Sequence, residues 1–475
     1  MNIRKYLAKA VLSFASIVGG YNATNSRRKF ISQQMASRRD SANALLNGDL
    51  QALRAHCRQL ERNNSSARAG IEALAALVVG SGISLEPNTG DEDTNKAIGK
   101  EFKAWLIHLG INGEDIFQLQ HLGFREVVST GELVWRIVPS DEAIPYAILP
   151  LDSEWIVDDE VQVPGEEFTV VNGISVDQYG RAVSYYLANP DATTDKTEIV
   201  PASSIVHAFE RRRPVQNRGE PWLTPVIETL MQEHELVESE LYAARQTAGM
   251  AIAITSEHGP VIDDDVYGTP KDPATQLQIG GVVRLFPGEE VSSLSHTRPS
   301  QGISPFRQML RGDIAAALRI PQRFLDRDVS RANFSSMRTD MIDTDRLLGP
   351  VRNWFGHATI GRMYRLALPH IAAVLNIKVP NPDAYKLLPD VQPYVDPTKD
   401  IAASLMAIAG GLSTYEKEIG KRGGDWRQVW EQLATEQQHI ATEGLKITDK
   451  IPQGAGVEEP QPDTDPEDED QQGQP

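Results

Sequence analysis

"PWLTPVIETLMQEHELVESELYAARQTAGM", residues 221–250, is the stretch whose reading decides the fold. Its less polar positions are Leu223, Ile227, Leu230, His234, Val237, Leu241, Ala244 and Ala248, and the steps between them alternate four and three. A period of about 3.5 residues predicts a long helix, begun at Pro221, whose seam packs against neighbouring helices. The same stretch carries Glu228, Glu233, Glu235, Glu238 and Glu240, with no base before Arg245. Those glutamates make either a wall of negative charge or a merely solvated face.

Working outward, residues 250–302 lose the helical period, and "GGVVRLFPGEEVSSL" within them reads as strand. "SPFRQMLRGDIAAALRI" restores it, giving a second helix over 303–320 that stops at Ile320-Pro321. Two helices thus bracket a β-rich insert. A third helix runs through Met337, Met341 and Leu348; Gly349-Pro350 must kink or restart it, and it resumes to about Leu368. At its head, Ser335-Ser336-Met337-Arg338 mimics a Ser-x-x-Lys nucleophile motif. Arg338 cannot share protons as a lysine does, so Asn333 or Ser335 is read as a helix cap.

Upstream, "NNSSARAGIEALAALVVGSGISL" from Asn63 reads as a capped helix with Ile71, Leu74, Leu77 and Val78 on one side, stopped by Gly80 and Gly82. Helices follow at 94–109 and 115–130, then strands in "GELVWRIVP", "PYAILPLDSEWIV" and "FTVVNGISVDQYGRAVSYYLAN", with turns at Asn172-Gly173 and Asp177–Gly180. The fold class is α+β with an antiparallel sheet. Residues 396–445 read as a C-terminal helical unit.

The 475 residues suffice for two or three domains, and a net charge of −18 argues against broad phosphate binding. No apolar run approaches bilayer length, and the lone Cys57 excludes an intrachain disulfide. Residues 1–62 carry eleven Lys or Arg against Asp40, Asp49 and Glu61, and read as a basic arm, helical in pieces, rather than a secretory leader. Residues 446–475 form an acidic tail expected to be disordered, its acids concentrated from Glu458 to Asp470.

Chemistry is hard to find. No P-loop occurs. "HELVE" at 234–238 puts Glu238 where a zinc site needs its second His. Asp263–Asp265 resembles the start of a calcium loop, but Ala274 occupies the position of the closing Glu. Arg211, Arg212, Arg213 and Arg218 form a solvated face, an ion-pair strip or a nucleic-acid contact. Neither catalysis nor a cofactor is indicated.

Five segments in order resemble the lambda-type portal family of tailed bacteriophages: "RNNSSARAGIEALAALVVGSGISL", "VDQYGRAVSYYL", "IVHAFERRRPVQNRGEPWLTPVIETL", "FRQMLRGDIAAALRIPQRFLDRDVSRANFSSMRTD" and "VDPTKDIAASLMAIAGGLSTYEKEIGKRGGDW". They span about residues 20–435. The resemblance implies a homo-oligomeric ring of about twelve copies at a capsid vertex of the virion, assembled in the host cytoplasm. Double-stranded DNA passes through its channel in packaging and ejection. Its partners would be the terminase large subunit, which supplies the ATPase, the major capsid protein and scaffold, and the head-tail connector; no membrane is involved. The implied subunit has an α+β wing over 63–220, a first stem helix over 221–249 and a clip over 250–302. A second stem helix would cover 303–320, the channel loop and kinked wing helix 321–395, and the crown 396–445. On that plan the channel-lining candidates are Glu228, Glu233, Glu235, Glu238 and Glu240. The channel-loop candidates are Arg323, Asp326, Arg327, Asp328, Arg331 and Asn333, the arginines touching phosphates transiently or pairing with Asp326 or Asp328 of a neighbour. Two other classes compete. A head-tail adaptor or baseplate protein would lack two stem helices around a β insert, and a nucleic-acid-processing hydrolase would need clustered metal-binding carboxylates.

Overall fold

The computed structural model describes residues 41–157, 168–188, 197–249, 253–256, 289–292, 302–328, 330, 334–389, 397–422 and 424–444. Helix α1 (Ala42–Asn63) opens them; this part of the expected basic arm is one helix packed into the core, and residues 1–40 lie outside the described residues. Leu46, Leu50, Leu53, Cys57 and Leu60 recur at helical spacing and are buried, a stripe that the surrounding charge obscures. The side chain of Asn64 accepts the Ala67 amide at 2.9 Å and so caps α2 (Ser65–Val78). Its own amide donates to the Leu230 carbonyl at 3.1 Å.

Asp91 caps α3 (Glu92–Leu106), and Asp115 with Gln118 forms a capping box for α4 (Ile116–Thr130). Between α2 and α3, β1 (Ser84–Pro87) pairs with β11 (Tyr385–Leu388), from the far end of the chain. Gly131, at φ +95°, ends α4 in the left-handed region and turns the chain into β2 (Glu132–Pro139). β2 is the centre of an antiparallel sheet with β3 (Tyr146–Leu151) and β8 (Ile205–Phe209). A second sheet runs β4 (Thr169–Val171), β5 (Ile174–Val176), β6 (Ala182–Leu187) and β7 (Glu198–Pro201). Its first hairpin turns on Asn172 and Gly173, both at positive φ (52° and 78°), as a two-residue turn matched to strand twist requires. Val134, Leu151, Ile174, Tyr185 and Ile205 form a small core where the sheets meet. The main core gathers α1 to α4 and the helices that follow.

Those later helices begin with α5 (Ile227–Gly249). It starts six residues after the expected Pro221, because Thr224–Val226 form a 3-10 turn around Pro225 instead. β9 (Ala253–Ser256) pairs antiparallel with β10 (Glu289–Ser292), and α6 (Ile303–Ala317) returns. After the short α7 (Arg323–Asp326) come α8 (Phe334–Ala358) and α9 (Ile360–Leu375). Pro350 sits inside α8, which continues through it; the break falls at Thr359. Helices α10 (Pro397–Ala409), α11 (Tyr415–Gly420) and α12 (Trp426–Glu443) close the described chain.

Candidate functional site

Helices α5 and α6 leave the main core together. Leu223, Ile227 and Leu230 at one root and Ile314 and Leu318 at the other are all buried in it. Further along α5, Glu233 meets Arg311 and then Arg307, each donating Nε to Oε1 at 2.8 Å. Moving outward on α5 therefore means moving backward along α6, so the pair is antiparallel, and β9–β10 pair beyond the outer ends of the two helices.

Glu233 is thus a strap between two helices, with a side chain 3% exposed, and does not share the open acidic face expected of it. Burial opposes its ionisation, but hydrogen bonds from Ser66, Arg307 and Arg311 hold the carboxyl below its ordinary range. Glu228, Glu235 and Glu238 are exposed, and Glu240 is half-buried. At about 100° per residue, the three exposed acids fall within about 80° of arc, centred about 100° around the helix from the apolar seam. The seam itself is covered only at its root. Val237 is half-buried, and His234 and Leu241, read as seam residues, are exposed. On α6, Phe306 and Met309 are 47% and 54% exposed, turned away from the face that carries Arg307 and Arg311.

The root of α5 is fixed by a polar cluster that sequence reasoning missed. Glu132, at the start of β2, is fully buried. Arg218 donates Nε and Nη2 to Glu132 Oε1 at 2.9 and 2.7 Å, and Arg54 of α1 adds Nη2 at 2.7 Å. The Gly219 amide and His207 Nε2 reach Oε2 at 2.8 and 3.1 Å. The remaining guanidinium donors are taken by carbonyls, Thr130 for Arg54 and Asn172 and Ser153 for Arg218. Burial would raise the Glu132 pKa, but Arg218, Arg54 and His207 hold it well below the carboxylate range. Burial lowers the His207 pKa against the pull of Glu132. The carboxylate can only accept, so Nε2 carries the proton and Nδ1 takes the Tyr185 hydroxyl at 3.2 Å. The cluster clamps α1, β2, β8 and the 216–219 loop where the chain turns into α5. Of the arginine run, Arg211, Arg212 and Arg213 are exposed and Arg218 is buried. The signal available in sequence was an acid heading the apolar strand "ELVWRIVP".

The loop candidates are only partly brought together. Arg323 pairs with Asp340 at 2.8 Å, in its own chain. Asp326 accepts the Asp328 amide at 3.1 Å, Asp328 accepts the Ser330 amide at 2.9 Å, and Arg327 ends α7 at φ 56°. Arg331 and Asn333 lie outside the described residues. Ser335 is not the cap, because α8 begins at Phe334 and so includes it. Asp263–Asp265 also lie outside the described residues, among which no group of three or more His, Cys, Asp or Glu could hold a metal. No described helix is long and apolar enough to cross a membrane.

The chain is similar to portal protein B of Escherichia phage lambda, 23% identical over 315 residues, covering 58% of this chain and 59% of that one. The portal protein of Escherichia phage N15 matches at 23% over 314 residues with the same coverage. The match therefore spans 59% of the length of either relative. A probable portal protein of Halomonas phage phiHAP-1 is 22% identical over 458 residues, 89% of this chain and 87% of the relative. Among solved structures, a chain from the neck of a native gene transfer agent particle, computed with C12 symmetry, gives a TM-score of 0.48 at 13% identity, covering 78% of this chain and 92% of that one. The sequence model of the family described as phage portal protein, lambda family, matches residues 30–352, a span that holds the clamp, both projecting helices and the loop after them. The chain belongs to the lambda family of phage portal proteins.

Proposed function

We propose that this chain is the subunit of a closed ring of about twelve copies at one capsid vertex, through which double-stranded DNA enters during packaging and leaves at infection. The observation that carries this reading is the antiparallel α5–α6 pair, rooted in the main core and bridged by β9–β10, with an uncovered apolar seam and an acidic outer face. An adaptor or baseplate protein has no use for such a pair. The uncovered part of the seam, from His234 to Leu241, is what a neighbouring copy would cover.

Repulsion is the working principle. A channel must hold a polyanion centrally without gripping it, and every lysine or arginine touching a phosphate adds a salt-dependent affinity that would stall movement. Glu228, Glu235 and Glu238, repeated around a ring, would repel the duplex over about 8 Å at physiological salt. Arg323, Arg327 and Arg331 near the constriction would offer brief phosphate contacts. The role is structural. ATP hydrolysis would belong to a docked terminase large subunit, and the same ring would meet the major capsid protein and scaffold during assembly in the host cytoplasm and the head-tail connector afterwards.

The test replaces Glu228, Glu235 and Glu238 together by Lys and measures DNA packaged per particle. These side chains are exposed, so rings should still form, while packaged DNA falls at least about tenfold and recovers partly at raised salt. Undiminished packaging would overturn the repulsive wall. A wild-type chain that stays monomeric even with scaffold present would overturn the ring.

A further inference from the structure

Ion pairs link the C-terminal helices α10–α12 to the rest of the molecule. Within 397–444 the only buried side chain among the described residues is Glu418, and its partners Ser404, Ser413 and Lys421 belong to the same unit. Trp430 stacks edge-on against both Tyr415 and Trp426, again within the unit. Ion pairs that reach the body include Lys96–Glu431 at 3.7 Å, Glu92–Arg427 at 3.1 Å, Arg338–Asp400 at 3.2 Å, and Lys386–Glu416. Every one of these side chains is at least a quarter exposed. Beside them the seam opens into clefts of about 300 and 510 Å³, lined by Glu86, Lys103, Asp425 and Arg427 among others. Among the described residues, no side chain of α10–α12 is part of the main apolar core or of the partly buried residues packed against it.

We propose that α10–α12 form an electrostatic latch, docked on α3 and the β1–β11 ribbon at low ionic strength and released as salt rises. Exposed ion pairs are weak singly and act together only while unscreened. The screening length falls from about 30 Å at 0.01 M salt to about 3 Å at 1 M, below the spacing that lets several such pairs cooperate. Burial raises the Glu86 pKa and the Asp425 charge adds to the rise, while Lys103, Arg427 and Lys386 oppose it. A latch of this kind suits a unit that must change position as the counterion density around it changes.

Hydrogen exchange on the full chain, followed from 0.01 to 1 M KCl with mass recorded at each point, tests this. Amides of α10–α12 should lose at least about tenfold protection across that range, while those of α4, held by the core, keep theirs. The double reversal Glu92→Lys with Glu431→Lys should release the unit at low salt. Protection that is indifferent to salt, or lost only when the assembly dissociates, overturns the proposal. So does a double reversal that exchanges like wild type.

Discussion

Glu132 accepts hydrogen bonds from Arg54, Arg218, His207 and the Gly219 amide in a site from which solvent is excluded. A buried ion cluster adds little stability over an apolar one, but breaking it leaves a charge with no solvent. Arg218→Met should therefore cost about 3–5 kcal/mol in urea unfolding, and a loss under about 1 kcal/mol would mean that the clamp is dispensable. Acid should open the same cluster in two stages. The folded His207 pKa lies below 6.5, so the unfolded state binds the extra proton first, and stability falls as pH drops through 6.5. The Glu132 pKa lies well below 4.5, so its contribution is present above 4.5 and lost on further descent. Urea midpoints measured from pH 8 down to about pH 2 should show both stages. His207→Gln should abolish the upper stage and leave the lower.

Elements here are held by close backbone approaches as much as by side chains. Gly219 passes Gly131, the left-handed C-cap of α4, so closely that a Cβ on Gly219 would collide with the Gly131 backbone. A carbonyl cannot rotate aside, and Gly219→Ala should cost about 2–3 kcal/mol. Gly70→Ala makes the contrast. Its Cβ meets the tip of Leu318 at 2.6 Å, a side chain that can move, and alanine favours the helix. Its net effect should stay within about 1 kcal/mol in the same denaturation experiment. Local signals made most of these elements legible in the sequence. Asn64, Asp91 and Asp115 cap where polar residues precede apolar periods, and Asn172-Gly173 turns where strands alternate around it. What stayed hidden was long-range. Arg54, His207 and Arg218 lie 75 to 86 residues from Glu132, and Arg307 and Arg311 lie 74 and 78 from Glu233, so no local pattern distinguishes these charges from solvated ones. Helix α1 was hidden differently, its leucine stripe lost among basic neighbours.

At the scale of the molecule, α5 presents exposed acids beside an open apolar seam, and α6 presents an apolar strip. The open side of α5 is acidic, whereas α6 turns Phe306, Met309 and the small Ala316 outward, on the side away from Arg307 and Arg311. Scattered exposed apolar residues mean little, but these recur along one face of a helix that already packs on its other side. In a ring each α6 would lay this strip against the neighbour's α5, where the seam from His234 to Leu241 is open. Aspartate placed in such a contact must be desolvated without a partner, while in the isolated subunit it stays in water. Met309→Asp should therefore leave the thermal unfolding of the unassembled subunit unchanged and prevent ring formation, read by native mass measurement with scaffold present. Full-sized rings from this variant would place the copy-to-copy contact elsewhere and leave α6 as an outer wall. Unfolded monomers would mean instead that Met309 belongs to the subunit's own core, against its 54% exposure.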